Sequence, residues 1–80
     1  MTVKDAVAQR FLQSCREKRI SVNELATRSG VTPSTVYSMM DSRRREISIT
    51  TIKKLCDGLD MTLSEFFSTK DFDMLEQEIK

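Results

Sequence analysis

The stretch that most constrains the fold is residues 22–41, VNELATRSGVTPSTVYSMMD. Its pattern predicts two short helices joined by a tight turn at Gly30, which has no Cβ and adopts the positive φ of a sharp turn at little cost. Ala26 on the first helix is small, so the second helix can cross close above it. Val36 and Met39 lie on one face of the second helix and are expected to pack against the first.

Capping signals and apolar spacing place further helices around this pair. We expect α-helices at about 3–18, 22–29, 33–41 and 49–58, and a fifth beginning after Thr62. Each predicted start has a Ser or Thr cap, and three of the caps are followed by an acid in capping-box spacing: Thr2 with Asp5, Ser21 with Glu24, and Thr62 with Glu65. The expected inward-facing residues of the first and fourth helices are Val3, Val7, Phe11, Leu12 and Cys15, and Ile49, Ile52, Leu55, Cys56 and Leu59. No segment shows the sustained alternation of a half-buried strand, so the sequence predicts an all-α fold.

Length and composition limit the chain to one small domain. It has 80 residues, of which 39% are hydrophobic and 31% charged, as in an ordinary globular domain. No apolar run approaches the roughly 20 residues that cross a bilayer. The first residues, MTVKDAVAQR, lack the apolar block of a secretory signal, so we expect a cytoplasmic protein with no membrane partner.

The charges are unevenly distributed along the chain. Residues 1–45 carry nine Lys/Arg and four Asp/Glu, a net charge of +5, whereas residues 46–80 carry four and eight, a net charge of −4. A basic half that holds the predicted helix pair suits a polyanionic partner on one side of the molecule. The alternative is that these charges are scattered by chance over solvated faces.

Catalytic and metal-binding patterns are missing from the sequence. There is no histidine, and Cys15 and Cys56 are too far apart for a C-x-x-C pair, so a zinc site would lack ligands. We interpret the two cysteines as buried free thiols. No Gly-rich phosphate loop or paired-carboxylate motif is present, which argues against an enzyme, a cofactor or a small-molecule ligand.

Two helices crossed through a tight turn are typical of the helix-turn-helix motif, whose second helix enters the major groove of DNA. The string SVNELATRSGVTPSTVYSMM, followed by a basic loop and then by SITTIKKLCDGLDMTLSEFF, resembles the Cro/repressor-type, or XRE, family of bacterial and phage regulators. The resemblance covers residues 21–67. It implies a five-helix lambda-repressor-like DNA-binding domain that commonly binds operators as a dimer.

The sequence departs from the family pattern in three places. Val22 stands where many members have a Gln at the start of the second helix. Cys15 and Met40 stand where many members have an Arg and a Glu that pair, and such a double replacement by apolar groups can be neutral or stabilising. Ser42 replaces the usual Gly after the third helix.

The resemblance also implies which residues face DNA. On the recognition helix, residues 33–41, these are Pro33, Ser34, Tyr37 and Ser38, with Thr32 and Asp41 at the margins. This set contains no Arg, Gln or Asn to read guanine or adenine bidentately. We expect Tyr37 to contact a thymine methyl or a phosphate, the alternative being a tyrosine that lies on the free surface.

Phosphate contacts are therefore expected to supply most of the affinity. Arg43, Arg44 and Arg45 follow the recognition helix, where the loop of the family runs along the DNA backbone; the alternative is a solvated charge run. The N-terminus of the second helix, including Asn23, offers free amides and a positive dipole end to a phosphate.

The last residues are expected to form a separate segment. We divide the chain into a helix-turn-helix domain, residues 1–69, and an amphipathic tail, residues 70–80, with a short linker around 68–71. Helical spacing places Phe72, Leu75 and Ile79 on one face, and a helix of about ten residues needs a surface to cover. We expect it to fold back on the domain or to contact a second copy in a homodimer.

Two functions remain open at this point. The first is a sequence-selective repressor or related transcription factor that binds double-stranded DNA. The second is an antitoxin-like or adaptor module that has kept the fold but binds a protein.

Overall fold

The computed structural model describes residues 1–44 and 46–79. Over these residues it has six helices and no strand, which confirms the all-α prediction. None of the helices in the described residues is long and apolar enough to span a bilayer. The helices are Val3–Lys18 (α1), Val22–Ser29 (α2), Pro33–Met40 (α3), Ile49–Gly58 (α4), Leu63–Phe67 (α5) and Lys70–Asp73 (α6).

Reciprocal capping boxes begin α1 and α5, as the sequence predicts. The Thr2 hydroxyl accepts from the amide of Asp5 at 3.2 Å, and the Asp5 carboxylate accepts from the amide of Thr2 at 3.2 Å. Thr62 and Glu65 repeat this arrangement at 3.0 and 3.1 Å. Hydrogen bonds from the Thr2 and Thr62 backbone amides lower the pKa of the Asp5 and Glu65 carboxyls.

The capping box predicted at the start of α2 is only half formed. The Ser21 hydroxyl accepts from the amide of Glu24 at 3.0 Å. The Glu24 carboxylate instead lies 3.6 Å from the Arg28 guanidinium, one turn further along α2. An i,i+4 ion pair competes for the carboxylate, so the prediction of a complete box at α2 was wrong.

The hydrophobic core gathers side chains from α1 to α5. Three of the predicted inward residues are not part of it: Val3 and Ile49 are exposed, and Leu12 is only half-buried and does not pack against the core. Val3 and Ile49 are the first residues of α1 and α4. The buried cluster is Val7, Phe11, Cys15, Leu25, Ala26, Val36, Met39, Ile52, Leu55, Cys56, Leu59 and Phe66.

Both cysteines are free and buried, as predicted. Burial disfavours the thiolate and raises the pKa of Cys15 and Cys56. Met40 is half-buried and packs against the same core as Cys15. At both positions where the resemblance described above implies an Arg–Glu pair, this chain places apolar side chains in or against the core.

Two glycines fix how α2 meets its neighbours. Gly30 ends α2 with a φ of 70°, in the left-handed region, as the turn requires. Gly58 lies at the end of α4, where an added Cβ would come within 2.1 Å of the Ser29 Oγ and 3.2 Å of the Ser29 Cα. Helices α2 and α4 can approach this closely only because residue 58 has no side chain.

The C-terminal segment differs from the predicted tail. The expected linker around 68–71 is already partly helical, because α6 begins at Lys70. The helix then ends at Asp73, so Phe72, Leu75 and Ile79 do not share a helical face. Of these three, only Phe72 packs against the core, with its ring centroid 5.9 Å from that of Phe66 and 4.9 Å from that of Phe67.

Candidate nucleic-acid interface

Helix α3 has one buried and one exposed face. Val36 and Met39 point into the core, whereas Ser34 is exposed and Tyr37 keeps 55% of its surface accessible. The helix ends at Met40, one residue earlier than predicted, because Asp41 adopts an extended backbone with φ −72° and ψ 116°. The face that the sequence assigns to DNA is therefore open to solvent.

The N-terminus of α3 is built from hydroxyl groups. The Thr32 hydroxyl caps the helix by accepting from the amide of Thr35 at 3.3 Å, and Pro33 follows in the first turn, where its missing N–H costs nothing. The Thr32 Oγ1 also lies 3.1 Å from the Ser34 Oγ. Thr32, Pro33 and Ser34 are all exposed, while Ser38, one turn further along α3 from Ser34, is half-buried.

Tyr37 and Asn23 connect the exposed parts of the two helices. The Tyr37 hydroxyl donates to the Asn23 Oδ1 at 3.3 Å. Asn23 lies in the first turn of α2 and is itself exposed. The structure therefore brings together the predicted phosphate-binding end of α2 and the predicted groove-facing side of α3, and both side chains keep polar groups available to a ligand.

Asp41 organises the loop that follows α3. Its carboxylate accepts three bonds from Arg43: from the backbone amide at 3.0 Å, from Nε at 3.1 Å and from Nη2 at 3.0 Å. These hydrogen bonds, the side-chain ones first, lower the pKa of the Asp41 carboxyl to about 2 and raise the pKa of the Arg43 guanidinium. The first arginine of the basic loop is thus already paired with an acid.

Of the other two arginines of the loop, the structure describes Arg44 but not Arg45. Arg44 is exposed, and its amide donates to the Asp41 carbonyl at 3.0 Å. Arg45 lies outside the described residues.

Lys4 is a residue of this region that the sequence analysis missed. It is 2% exposed, and its ammonium donates to the backbone carbonyl of Asp41, just past the end of α3. A cation at the C-terminus of a helix is favoured by the helix dipole and by unpaired carbonyls. The available signal was its position: Lys4 falls on the same face of α1 as Ala8 and Phe11, where an apolar residue is expected.

Arg10 was likewise counted only as a charge. Its Nε donates to the carbonyl of Phe66 at 2.9 Å, and its guanidinium lies 5.7 Å from the centroid of the Phe66 ring. Arg10 on α1 therefore links this helix to α5 through the Phe66 carbonyl and ring. With Lys4 buried and Arg10 bound to α5, the positive charge of the first half is less concentrated at the candidate interface than its net value of +5 suggests.

Comparison with known proteins agrees with this geometry. A family model described as the Cro/C1-type HTH DNA-binding domain matches residues 10–71. A similar solved structure is that of the prophage Lp1 protein 11, with 27% sequence identity and a TM-score of 0.84, covering 94% of this chain and 99% of that one. Among curated proteins, none matches the chain.

The chain belongs to the Cro/C1-type helix-turn-helix family, because the family model spans most of its length. In this frame α2 and α3 are the helix-turn-helix pair and α3 is its second helix. Membership supports a DNA-binding regulator and confirms the resemblance on which the candidate interface was chosen.

Proposed function

We propose that the protein is a transcriptional regulator that lays α3 in the major groove of an operator. The observation that carries this proposal is the exposed face of α3, where Ser34 and Tyr37 stand clear of the core and Tyr37 bonds to Asn23 at the start of α2. In a docked helix-turn-helix, this arrangement directs hydroxyl groups to base edges and the amides of α2 to a phosphate.

Base reading in this proposal is modest and falls to a few side chains. Ser34 and Ser38 donate or accept single hydrogen bonds, and the Tyr37 ring packs on a thymine methyl or its hydroxyl bonds a phosphate. Thr32 and Pro33 flank them at the N-terminus of the helix. The discrimination between operators then depends on van der Waals contact and DNA shape as well as on hydrogen bonds.

Phosphate contacts supply the larger share of the affinity. The contacts come from Arg43 and Arg44 in the loop after α3 and from Asn23 at the start of α2, with Arg45 as a further candidate from the sequence. If four to six phosphates are neutralised, the logarithm of the affinity falls with the logarithm of salt concentration with a slope between about −3.6 and −5.4.

Selection of duplexes from a random pool tests this proposal. The expected result is one enriched sequence family, bound with a slope in the stated range. Arg43→Gln or Arg44→Gln reduces the slope by about 0.9, whereas the matched variant Lys70→Gln on α6 leaves it unchanged. Failure of the folded protein to bind any duplex at low salt would contradict the proposal.

We further propose that the protein binds as a homodimer, in which Met74 and Ile79 contribute contacts. Both side chains are exposed and apolar, and both follow α6 in a segment, residues 74–79, that has no buried residue. A dimer would require two half-sites about one helical turn, roughly 34 Å, apart. Light scattering tests this: Met74→Glu with Ile79→Glu is expected to convert a dimer into a monomer, and an unchanged mass would contradict it.

The same exposed segment favours a second candidate function, an antitoxin-like or adaptor module. Met74 and Ile79 stand among acidic residues, as in a surface that binds another protein. The double variant Arg43→Glu, Arg44→Glu discriminates the two candidates. A regulator loses DNA binding and its effect in cells, whereas an adaptor keeps both its partner and its effect.

A further inference from the structure

We propose that Asp41 is an internal competitor for DNA, which holds Arg43 in the free protein and releases it to a phosphate on binding. The proposal rests on the proposed function, since it assigns a regulatory role to a residue at the edge of the same interface. It adds that the DNA affinity of this chain is set below the value that its arginines would otherwise give.

The geometry of the pair is that of a phosphate contact. The Nε and Nη2 of Arg43 donate in parallel to the two carboxylate oxygens of Asp41, at 3.1 and 3.0 Å. This is one of the two edges through which a guanidinium binds a phosphate bidentately, the other being formed by the two Nη groups. The carboxylate oxygens of Asp41 therefore occupy the positions that two phosphate oxygens would take, and Arg43 cannot use this edge for both partners at once.

The acid is the fixed member of the pair and the arginine the movable one. Lys4 and the amide of Arg44 both donate to the backbone carbonyl of Asp41, and Lys4 is itself buried in the domain. The Asp41 side chain is 28% exposed, whereas the Arg43 side chain is 89% exposed. Release therefore requires rotation of an exposed arginine side chain and no movement of α3.

The Asp41 carboxylate stays charged near neutral pH. The pKa of Asp41 is lowered to about 2 by Arg43, so protonation does not open the pair near neutral pH. A polyanion at high local concentration is the partner that can displace it, because every phosphate of a duplex adds to the field that attracts the guanidinium. Arg43 is thus expected to leave Asp41 only on duplexes where the loop lies against a phosphate.

A double-mutant cycle on duplex affinity tests the proposal. Asp41→Asn keeps the shape of the side chain and an acceptor for the Arg43 amide but removes the charge. Because exposed pairs are weak, we expect it to tighten binding of the selected duplex by about two- to fivefold at fixed salt. In the Arg43→Gln background the same change is expected to have little effect, since there is no arginine to release.

The other outcomes separate this proposal from the proposed function. An equal gain in both backgrounds means that Asp41 only repels DNA through space, and it overturns the competition. A loss of affinity in Asp41→Asn means that the acid orients Arg43 toward DNA, and it also overturns it. In both cases the wild-type protein still binds DNA. If the wild-type protein binds no duplex, the proposed function fails.

Discussion

Helix α3 and the C-terminal segment, residues 70–79, were both predicted as amphipathic helices, but they differ in helix length and in how they pack against the core. Helix α3 runs for eight residues with two buried anchors, Val36 and Met39, and its C-terminal end is fixed through Lys4. The C-terminal segment forms four helical residues, and among residues 70–79 only the Phe72 side chain packs against the core. The comparison teaches that apolar spacing yields a helix only where successive turns meet a core.

The most demanding test of this comparison removes an anchor from α3. Met39→Ala leaves a cavity under α3 and is expected to lower the free energy of unfolding by about 2–5 kcal/mol, whereas Ile79→Ala, 86% exposed, is expected to change it by less than about 0.5 kcal/mol. Urea denaturation followed by circular dichroism measures both. Similar losses for the two variants would show that the segments are equally supported.

A second test concerns the support of the helix pair by α4. Gly58→Ala places a Cβ against Ser29 and is expected to cost about 1–3 kcal/mol by overpacking. Ser29→Ala removes the nearest atom, the Oγ, which has no hydrogen-bond partner among the described residues. In that background the cost of Gly58→Ala should fall; a strictly additive double variant would contradict the close contact.

Lys4 provides a third and smaller test. Lys4→Met keeps the buried alkyl chain but removes the bond to the Asp41 carbonyl, and we expect a loss of about 1–2 kcal/mol in the free energy of unfolding. Lys18→Met, an exposed control in the last turn of α1, should be close to neutral. If Lys4→Met stabilises the protein, the desolvation of the Lys4 ammonium is more unfavourable than its hydrogen bond to Asp41 is favourable, and the expectation is wrong.

The smallest expected effect is a dependence of stability on acid. Arg43 lowers the pKa of Asp41 to about 2 from an ordinary 3.8, so this carboxylate stabilises the fold above about pH 4 and loses that contribution as the pH falls toward 2. Asp41→Asn should flatten the loss of stability in this range more than Glu65→Gln, at the start of α5. Thermal denaturation between pH 5 and 2 measures how steeply the stability of each variant falls with pH. If Asp41→Asn loses stability as steeply as the wild-type protein, Asp41 is not the group responsible.

Much of the fold was predictable because it depends on local signals. Hydroxyl caps and the apolar spacing gave the bounds of α1, α2 and α4, and Gly30 gave the turn. The buried face of α3, with Val36 and Met39, followed from helical periodicity. These features require only neighbours within a few residues, which a single sequence contains.

The sequence did not indicate contacts between residues that are distant along the chain. Lys4 and Asp41 are 37 residues apart, and Arg10 and Phe66 are 56 residues apart, so neither bond has a local signature. The end of α6 coincides with the lack of buried side chains among residues 73–79, which periodicity alone does not report. In the candidate interface, the sequence analysis did not predict that Arg43 pairs with Asp41.

The central claim is that the exposed face of α3, rather than the C-terminal segment, meets DNA. Amide chemical shifts of the labelled protein, recorded during titration with a selected duplex, test it most directly. We predict the largest changes at residues 32 and 34–38, at Asn23 and at Arg43 and Arg44, with small changes over 70–79. Changes concentrated in residues 70–79, with α3 unaffected, would contradict the account.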